Sequence, residues 1–330
     1  MALGDRQLRR VRGRTIETIC TYSVPHTYYY GGMAVDRVDS TVYLMHNGTT
    51  VGTSSGIYKV KSNGSLDLIL DQNWGTDTSS TKYMGFQHIK AFNGKVYIIA
   101  WGRSPGYPTV FLVMDTRTGS VNHLAGNRAN SGIVGDVSGY GDVARFDYLY
   151  DMAVADDGSL YILAWNSAAG RSIKKISPSG FVTRVRNTAG TNAVMYGDGV
   201  ALDRAGNVYY CASHKICKMD AAGNLTILAG SSTPGYVDGQ GTEARFYFST
   251  AAGGLYWPYM AIDPSNQFLY VTDGGGIRRV DMDGTVTTVA PKPFLRHKFD
   301  GLSGTTYNTP AHGLDVDNKG DLYVVYQDPL

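Results

Sequence analysis

Residues 151–185 read DMAVADDGSLYILAWNSAAGRSIKKISPSGFVTRV, and four short apolar segments in this stretch are separated by turn-forming residues. MAVA, ending at Ala155, meets the tyrosine-bearing run LYIL across Asp157-Gly158, a pair that favours the dihedrals of a tight hairpin. IKKI at 173–176 alternates apolar and basic residues, the period-two signature of a half-buried strand, and Ser179-Gly180 turns the chain into FVTRV. The stretch predicts a four-stranded antiparallel meander, with strands a, b, c and d in chain order.

The same grammar recurs along the 330 residues. Strand b returns as VYLM at Tyr43, VYII at Tyr97, VYYC at Tyr209, LYVT at Tyr270 and LYVV at Tyr323. Upstream of these lie MAVD ending at Asp36, the divergent HIKAF at 88–92, VALD ending at Asp203, MAID ending at Asp263 and LDVD ending at Asp317. Strand c returns as IYKV, FLVM, ICKM and IRRV, each followed by a glycine turn and a fourth apolar strand. Repeated four-stranded meanders are the blades of a β-propeller, and six a–b pairs predict six blades.

Only five c–d pairs follow those six a–b pairs, because the sequence stops at Leu330 just after the sixth strand b. The missing pair lies at the other end. LRRV at 8–11, Arg12-Gly13 and IETIC at 16–20 align with IRRV, Asp283-Gly284 and VTTVA. The expectation is an all-β, six-bladed propeller whose N-terminal strands pair with the C-terminal blade, removing two open sheet edges. The blades fall at about 31–70, 86–125, 149–186, 197–229, 257–290, and 311–330 joined by 6–21, in one propeller over 1–330. The arginines at 6, 9, 10, 12 and 14 then read as a solvated strand face.

Composition narrows the classes. Forty-one glycines, 24 tyrosines and 18% charged residues suit a turn-rich β-protein, and a formal net charge of +2 gives no electrostatic reason to expect nucleic acid. The first residues carry arginines and no apolar run of export-signal type, and no stretch approaches the roughly 18 apolar residues that would span a bilayer. The expectation is a soluble chain, cytoplasmic or incorporated into a particle such as a virion, with no membrane partner. Cys20, Cys211 and Cys217 fit neither a disulfide framework nor a four-ligand zinc site, and read as free thiols.

Two passages are more specific. GYVDGQGTEARF at 235–246 and GYGDVARF at 139–146 each precede a strand pair ending in IRRV or IKKI, and both resemble NHL repeats. The second lacks the Asp-Gly step after its tyrosine. The resemblance implies the propeller fold and no single function, since NHL propellers serve as protein-binding, RNA-binding and catalytic domains. Within the motif, Arg145 and Arg245 are expected to pair with a nearby aspartate, and Phe146 and Phe246 to plug between blades.

The a–b and c–d turns are short and open on one face of the ring; the b–c loops and blade-to-blade connections are long and open on the other. That long-loop face is expected to carry the binding residues Trp74, Tyr83, Trp101, Tyr107, Tyr140, Trp165, Tyr236 and Trp257, a composition suited to protein or glycan recognition. Gly32, His88, Asp151, Gly199, Tyr259 and Gly313 fall at equivalent places before each strand a, with Asp198 and His312 one step outside. No phosphate loop, nucleophile elbow or paired-cysteine motif accompanies them.

The reading is a non-enzymatic binding or structural propeller without cofactor or metal, recognising a protein partner in a larger assembly, or a glycan or other receptor. A bacteriophage virion, with this chain in a tail, fibre or capsid-attached position, is one such assembly. The alternatives are a metal-dependent hydrolase or lyase using His88, Asp151, Asp198 and His312 at the channel mouth, and an RNA-binding propeller.

Overall fold

A meander that is apolar on both faces must be covered on both faces, and the chain meets this demand by arranging its sheets in a ring. The computed structural model describes residues 3–13, 15–25, 32–46, 56–71, 83–102, 109–128, 135–166, 170–191, 199–248, 258–274, 276–290 and 311–327. The chain starts with β1 (Leu3–Arg12) and β2 (Thr15–Pro25). Blade 1 is β3 (Met33–Val35), β4 (Val42–His46), β5 (Gly56–Val60) and β6 (Leu66–Asp71). Blade 2 is β7 (Tyr83–Phe92), β8 (Lys95–Gly102), β9 (Thr109–Asp115) and β10 (Val121–Ala125). A two-residue strand, β11 (Gly139–Tyr140), precedes blade 3, which is β12 (Tyr148–Val154), β13 (Leu160–Asn166), β14 (Gly170–Ile176) and β15 (Phe181–Val185). Blade 4 is β16 (Val200–Leu202), β17 (Val208–Ala212), β18 (Lys215–Met219) and β19 (Leu225–Gly230). Another short strand, β20 (Gly239–Gln240), precedes blade 5: β21 (Met260–Ile262), β22 (Phe268–Asp273), β23 (Gly276–Asp281) and β24 (Thr285–Ala290). Blade 6 starts with β25 (Ala311–Val316) and β26 (Leu322–Gln327).

Blade 6 is completed from the other end of the chain, in the sheet order β2-β1-β26-β25. β1 runs antiparallel to β26 from Arg6↔Gln327 to Val11↔Leu322, and Arg12 Nε donates to Asp321 Oδ1 at 2.8 Å. The structure is therefore an all-β six-bladed propeller closed by its N-terminal strands. Six apolar cores lie between neighbouring blades, one in each gap. In the closing gap, Leu8, Tyr323 and Val325 of blade 6 pack with Met33, Val35, Val42 and Leu44 of blade 1. Burying such side chains contributes roughly 1.5–3 kcal/mol each, so both faces of a blade are stabilised only when both neighbours are present.

Strand β1 is the third of its blade, covered by β2, and this changes how its arginines sit. Arg6 and Arg9 are buried, whereas Arg10 and Arg12 face outward and pair with Glu17 and Asp321. The expectation of a solvated arginine face is corrected accordingly: neighbouring blades cover both faces of this strand, so Arg6 and Arg9, which alternate onto opposite faces, are both buried, and exposure rises only toward the turn at Arg12-Gly13. The cysteines are free, Cys211 buried and Cys20 and Cys217 half-buried.

Close packing of blades also constrains several of the c–d turn glycines. Gly284 has φ +90°, and a Cβ there would lie 2.5 Å from the carbonyl oxygen of Leu228 on the preceding blade. Leu228 is the residue left out of the β18–β19 ladder, where the register shifts at Ile216/Cys217, so its bulge aims a carbonyl at the next blade's turn.

Candidate functional site

Each strand a lines the central channel, and the residue opposite the repeat tyrosine of strand b is alanine in four blades: Ala34, Ala153, Ala201 and Ala261. Blades 2 and 6 depart from this. Lys90 stands opposite Tyr97, and Asp315 opposite Tyr323. Lys90 Nζ and Asp315 Oδ2 lie 3.8 Å apart, both largely buried, in a channel cavity of about 420 Å³, counting the part open to solvent. Asp315 also accepts the backbone N–H of Val316 at 3.0 Å and that of Val35 on blade 1 at 3.1 Å. Sequence reasoning did not single out this pair, although the aligned repeats carry its signal as one lysine and one aspartate in a column of alanines.

The proposed metal ligands are dispersed. Asp151 is buried, with Oδ1 accepting from Met152 N at 2.8 Å and Oδ2 from Val200 N of blade 4 at 3.0 Å. Oδ2 thus ties blade 3 to blade 4, while Oδ1 is held within blade 3. Burial raises its pKa to about 6, partly offset by the charge of Lys90. His88 is half-buried by area yet enclosed by the channel wall, and this burial, with Lys90 beside it, lowers its pKa to about 4. His312 is buried in β25 and stands at the register shift between Ala311 and Gly313, the place that Gln87 and Tyr150 take in their blades. Asp198 lies outside the described residues. Among the described residues, no three His, Cys, Asp or Glu side chains are grouped as metal ligands.

At the long-loop end, Trp74, Tyr107 and Trp257 lie outside the described residues. Tyr83 and Trp101 belong to the β7–β8 pair at that end, where Gly85 is opposite Trp101 and Tyr83 opposite Gly102. Trp165 lies at the end of β13, opposite both Tyr148 and Arg171. The exposed Tyr148 ring tilts against Trp165 with centroids 5.2 Å apart, and the Arg171 guanidinium lies 4.1 Å over Tyr150. Asn166 Nδ2 donates to Asp147 Oδ2 on the opposite face of the sheet, toward blade 2. Tyr148, Tyr150 and Arg171 were not singled out from sequence; the strand register puts Tyr148 and Arg171 in one row with Trp165, and Tyr150 is the extra residue at the register shift between Leu149 and Asp151.

Two expected binding residues belong elsewhere. Tyr140 is exposed, but β11 pairs with β15 on the outer rim, Tyr140 opposite Phe181 with ring centroids 4.4 Å apart. Phe181 directly follows the c–d turn, so Tyr140 is on the short-turn side: the connection runs down the blade's outer edge before returning to the channel. Tyr236 is packed internally under the Arg278 guanidinium, 4.4 Å away. Arg278 is fully buried and pairs with Asp273 Oδ2 at 2.9 Å and Asp238 Oδ1 at 2.7 Å.

This arrangement also corrects the reading of the motif. The buried ion pairs are made by the strand-c cations, Arg278 with Asp238 and Asp273, and Lys174 with Asp136. Arg145 and Arg245 instead supply carbonyls to those cations, while Phe146 and Phe246 are buried between blades. Val137 bridges Arg145 as Val237 bridges Arg245, and β11 pairs with β15 as β20 pairs with β24. Tyr140 consequently occupies the place of Gln240, and Asp136 that of Tyr236.

No family model matches the chain, and no curated protein matches it. Solved structures do match. A TolB candidate from Agrobacterium tumefaciens is 13% identical with a TM-score of 0.59, the match covering 100% of each chain. A protein of unknown function from Bacteroides thetaiotaomicron is 14% identical, TM-score 0.55, over 90% of this chain and 69% of that one. An auxiliary nutrient binding protein from Bacteroides ovatus is 15% identical, TM-score 0.52, over 98% and 77%. At these identities the likeness establishes the six-bladed fold, which hosts varied functions.

Proposed function

We propose that this chain is a non-enzymatic recognition module that binds its partner through the long-loop end of the propeller, with blade 3 at the centre of the contact. The observation that carries the reading is the exposed Tyr148 ring leaning on Trp165, an aromatic pair on a rigid sheet edge among polar neighbours. The channel supports it from the other side. Asp151 and Asp315 use their carboxylate oxygens to hold neighbouring blades together, and Lys90 faces Asp315, so these groups act as braces rather than as a poised acid and base.

The kinship with NHL repeats, carried by residues 235–246 and the strand that ends in IRRV, fits a binding role. Membership of a larger assembly, a virion among them, is the extended form of the proposal and is checked by mass analysis of native particles. The central test is affinity capture with the full chain against its Tyr148→Ala and Trp165→Ala variants. The proposal expects partners to be lost from both variants and kept by His88→Gln. Capture that depends on His88 and ignores the aromatic pair would overturn it.

A further inference from the structure

We infer that Lys174 and Asp136 condense into an intramolecular amide cross-link, which ties the connection between blades 2 and 3 to the third strand of blade 3.

Strand register assembles the group. Lys174 of β14 is opposite Arg184 of β15, so both side chains leave the sheet on one face, and both meet the carboxylate of Asp136 in the incoming connection. Lys174 Nζ is at Oδ1 of that carboxylate and the Arg184 guanidinium at Oδ2. Lys174 is only 1% exposed; its Nζ lies 5.0 Å from the Phe146 ring centre, in the gap toward blade 2, and donates to the Arg145 carbonyl at 3.3 Å. A second carboxylate, Asp147, is near enough for its charge to act on this ammonium. Asp147 Oδ2 accepts from Asn166, whereas its buried Oδ1 has no hydrogen-bond donor among the described residues.

Blade 5 shows why a lysine matters here. Arg278 of β23 holds the place of Lys174 and is also fully buried, paired with Asp273 and Asp238. A guanidinium keeps its charge and is no nucleophile, so blade 5 retains an ion pair. An ammonium, by contrast, yields a nucleophilic amine when it is taken out of water. Burial lowers the pKa of Lys174 to about 8, against the pull of Asp147, which brings the amine within reach near neutral pH.

The reaction balances within the group. Nζ bonds to Cγ of Asp136 as the Cγ–Oδ1 bond breaks; two of the three ammonium protons pass through Asp147 to Oδ1, which leaves as water. The third proton stays on the amide nitrogen, and Asp147 ends as it began. Arg184 steadies the negative charge that gathers on Oδ2, the oxygen retained in the amide. The product exchanges two buried charges for one neutral amide, and the packed blade holds the reacting groups together in a place that excludes bulk water.

The test is intact-mass measurement of the full chain after denaturation, with Lys174→Arg as the reference. The unmodified sequence should come out lighter than its composition requires by one water, about 18 Da, and a tryptic map should show the peptides bearing Asp136 and Lys174 joined, with no cleavage after Lys174. Lys174→Arg should have its full mass, and Asp147→Ala should leave most chains without the cross-link. A folded chain of full mass would overturn the inference, as would a loss of water that persists in Lys174→Arg or maps to other residues. Complete cross-linking in Asp147→Ala would overturn the relay assigned to that carboxylate.

Discussion

Lys90 and Asp315 show how a repeat protein departs from its own pattern at a single column. Four alanines keep the channel wall smooth, and the two exceptions form an ion pair between blades 2 and 6 with blade 1 between them. A largely buried pair is costly to break and cheaper to delete whole. Lys90→Ala alone should destabilise the fold by about 2–4 kcal/mol, and the double change Lys90→Ala/Asp315→Ala by clearly less than the sum of the two singles, read from urea unfolding. Additive costs would show that the two charges are not coupled. His88 and Asp151 give a second residue-scale expectation. The carboxyl of Asp151 rises from 3.8 to about 6 on folding, so its contribution to stability is full below the lower value and lost as pH rises through the upper. The imidazole of His88 falls from 6.5 to about 4, so its contribution is full above the upper value and lost as pH falls through the lower. Between these limits the two oppose each other. Relative to the unmodified chain, His88→Gln should gain about 1–2 kcal/mol of stability between pH 7 and pH 5, and Asp151→Asn should lose a similar amount. Variants whose pH profiles shift in the same direction would contradict this assignment.

At the scale of strands and turns, the grammar of the repeat was legible because it is local. Alternation along a strand and a glycine in the following turn depend on neighbours two to four residues away, and both were visible in the stretch 151–185. The c–d turns nonetheless differ in ways that only packing reveals. Gly119 has φ +73° with open space around it, whereas Gly284 has φ +90° and the Leu228 carbonyl in its way. Gly119→Ala should cost about 1 kcal/mol for the backbone alone, and Gly284→Ala distinctly more because a blade must also shift. Equal melting temperatures for the two variants would refute the close approach. The added strands β11 and β20 were missed for a related reason: two residues cannot display a period, and their pairing with β15 and β24 is set by the path of a long connection. That path also moved Tyr140 away from the face to which its loop was assigned.

For the whole molecule, the decisive element is the closure of blade 6 by β1 and β2. Removing residues 1–20 would strip β26 of one of its two partners, β1, and open the core formed by Leu8, Tyr323 and Val325 against blade 1. The truncated chain should lose cooperative melting or melt at least about 10 °C lower by calorimetry, and unchanged melting would refute the closure. The six blades, their four-strand order and the joining of the two ends are legible in the residues alone, because each follows from hydrophobic period, turn chemistry and a count of strands. Which side chains meet is settled in the folded ring: Lys90 with Asp315, Arg278 with Asp273 and Asp238, and Tyr148 with Trp165 and the row ending at Arg171. A strand's pattern records which face is buried, whereas partners across a channel or along a row are fixed by strand register and the closing of the ring.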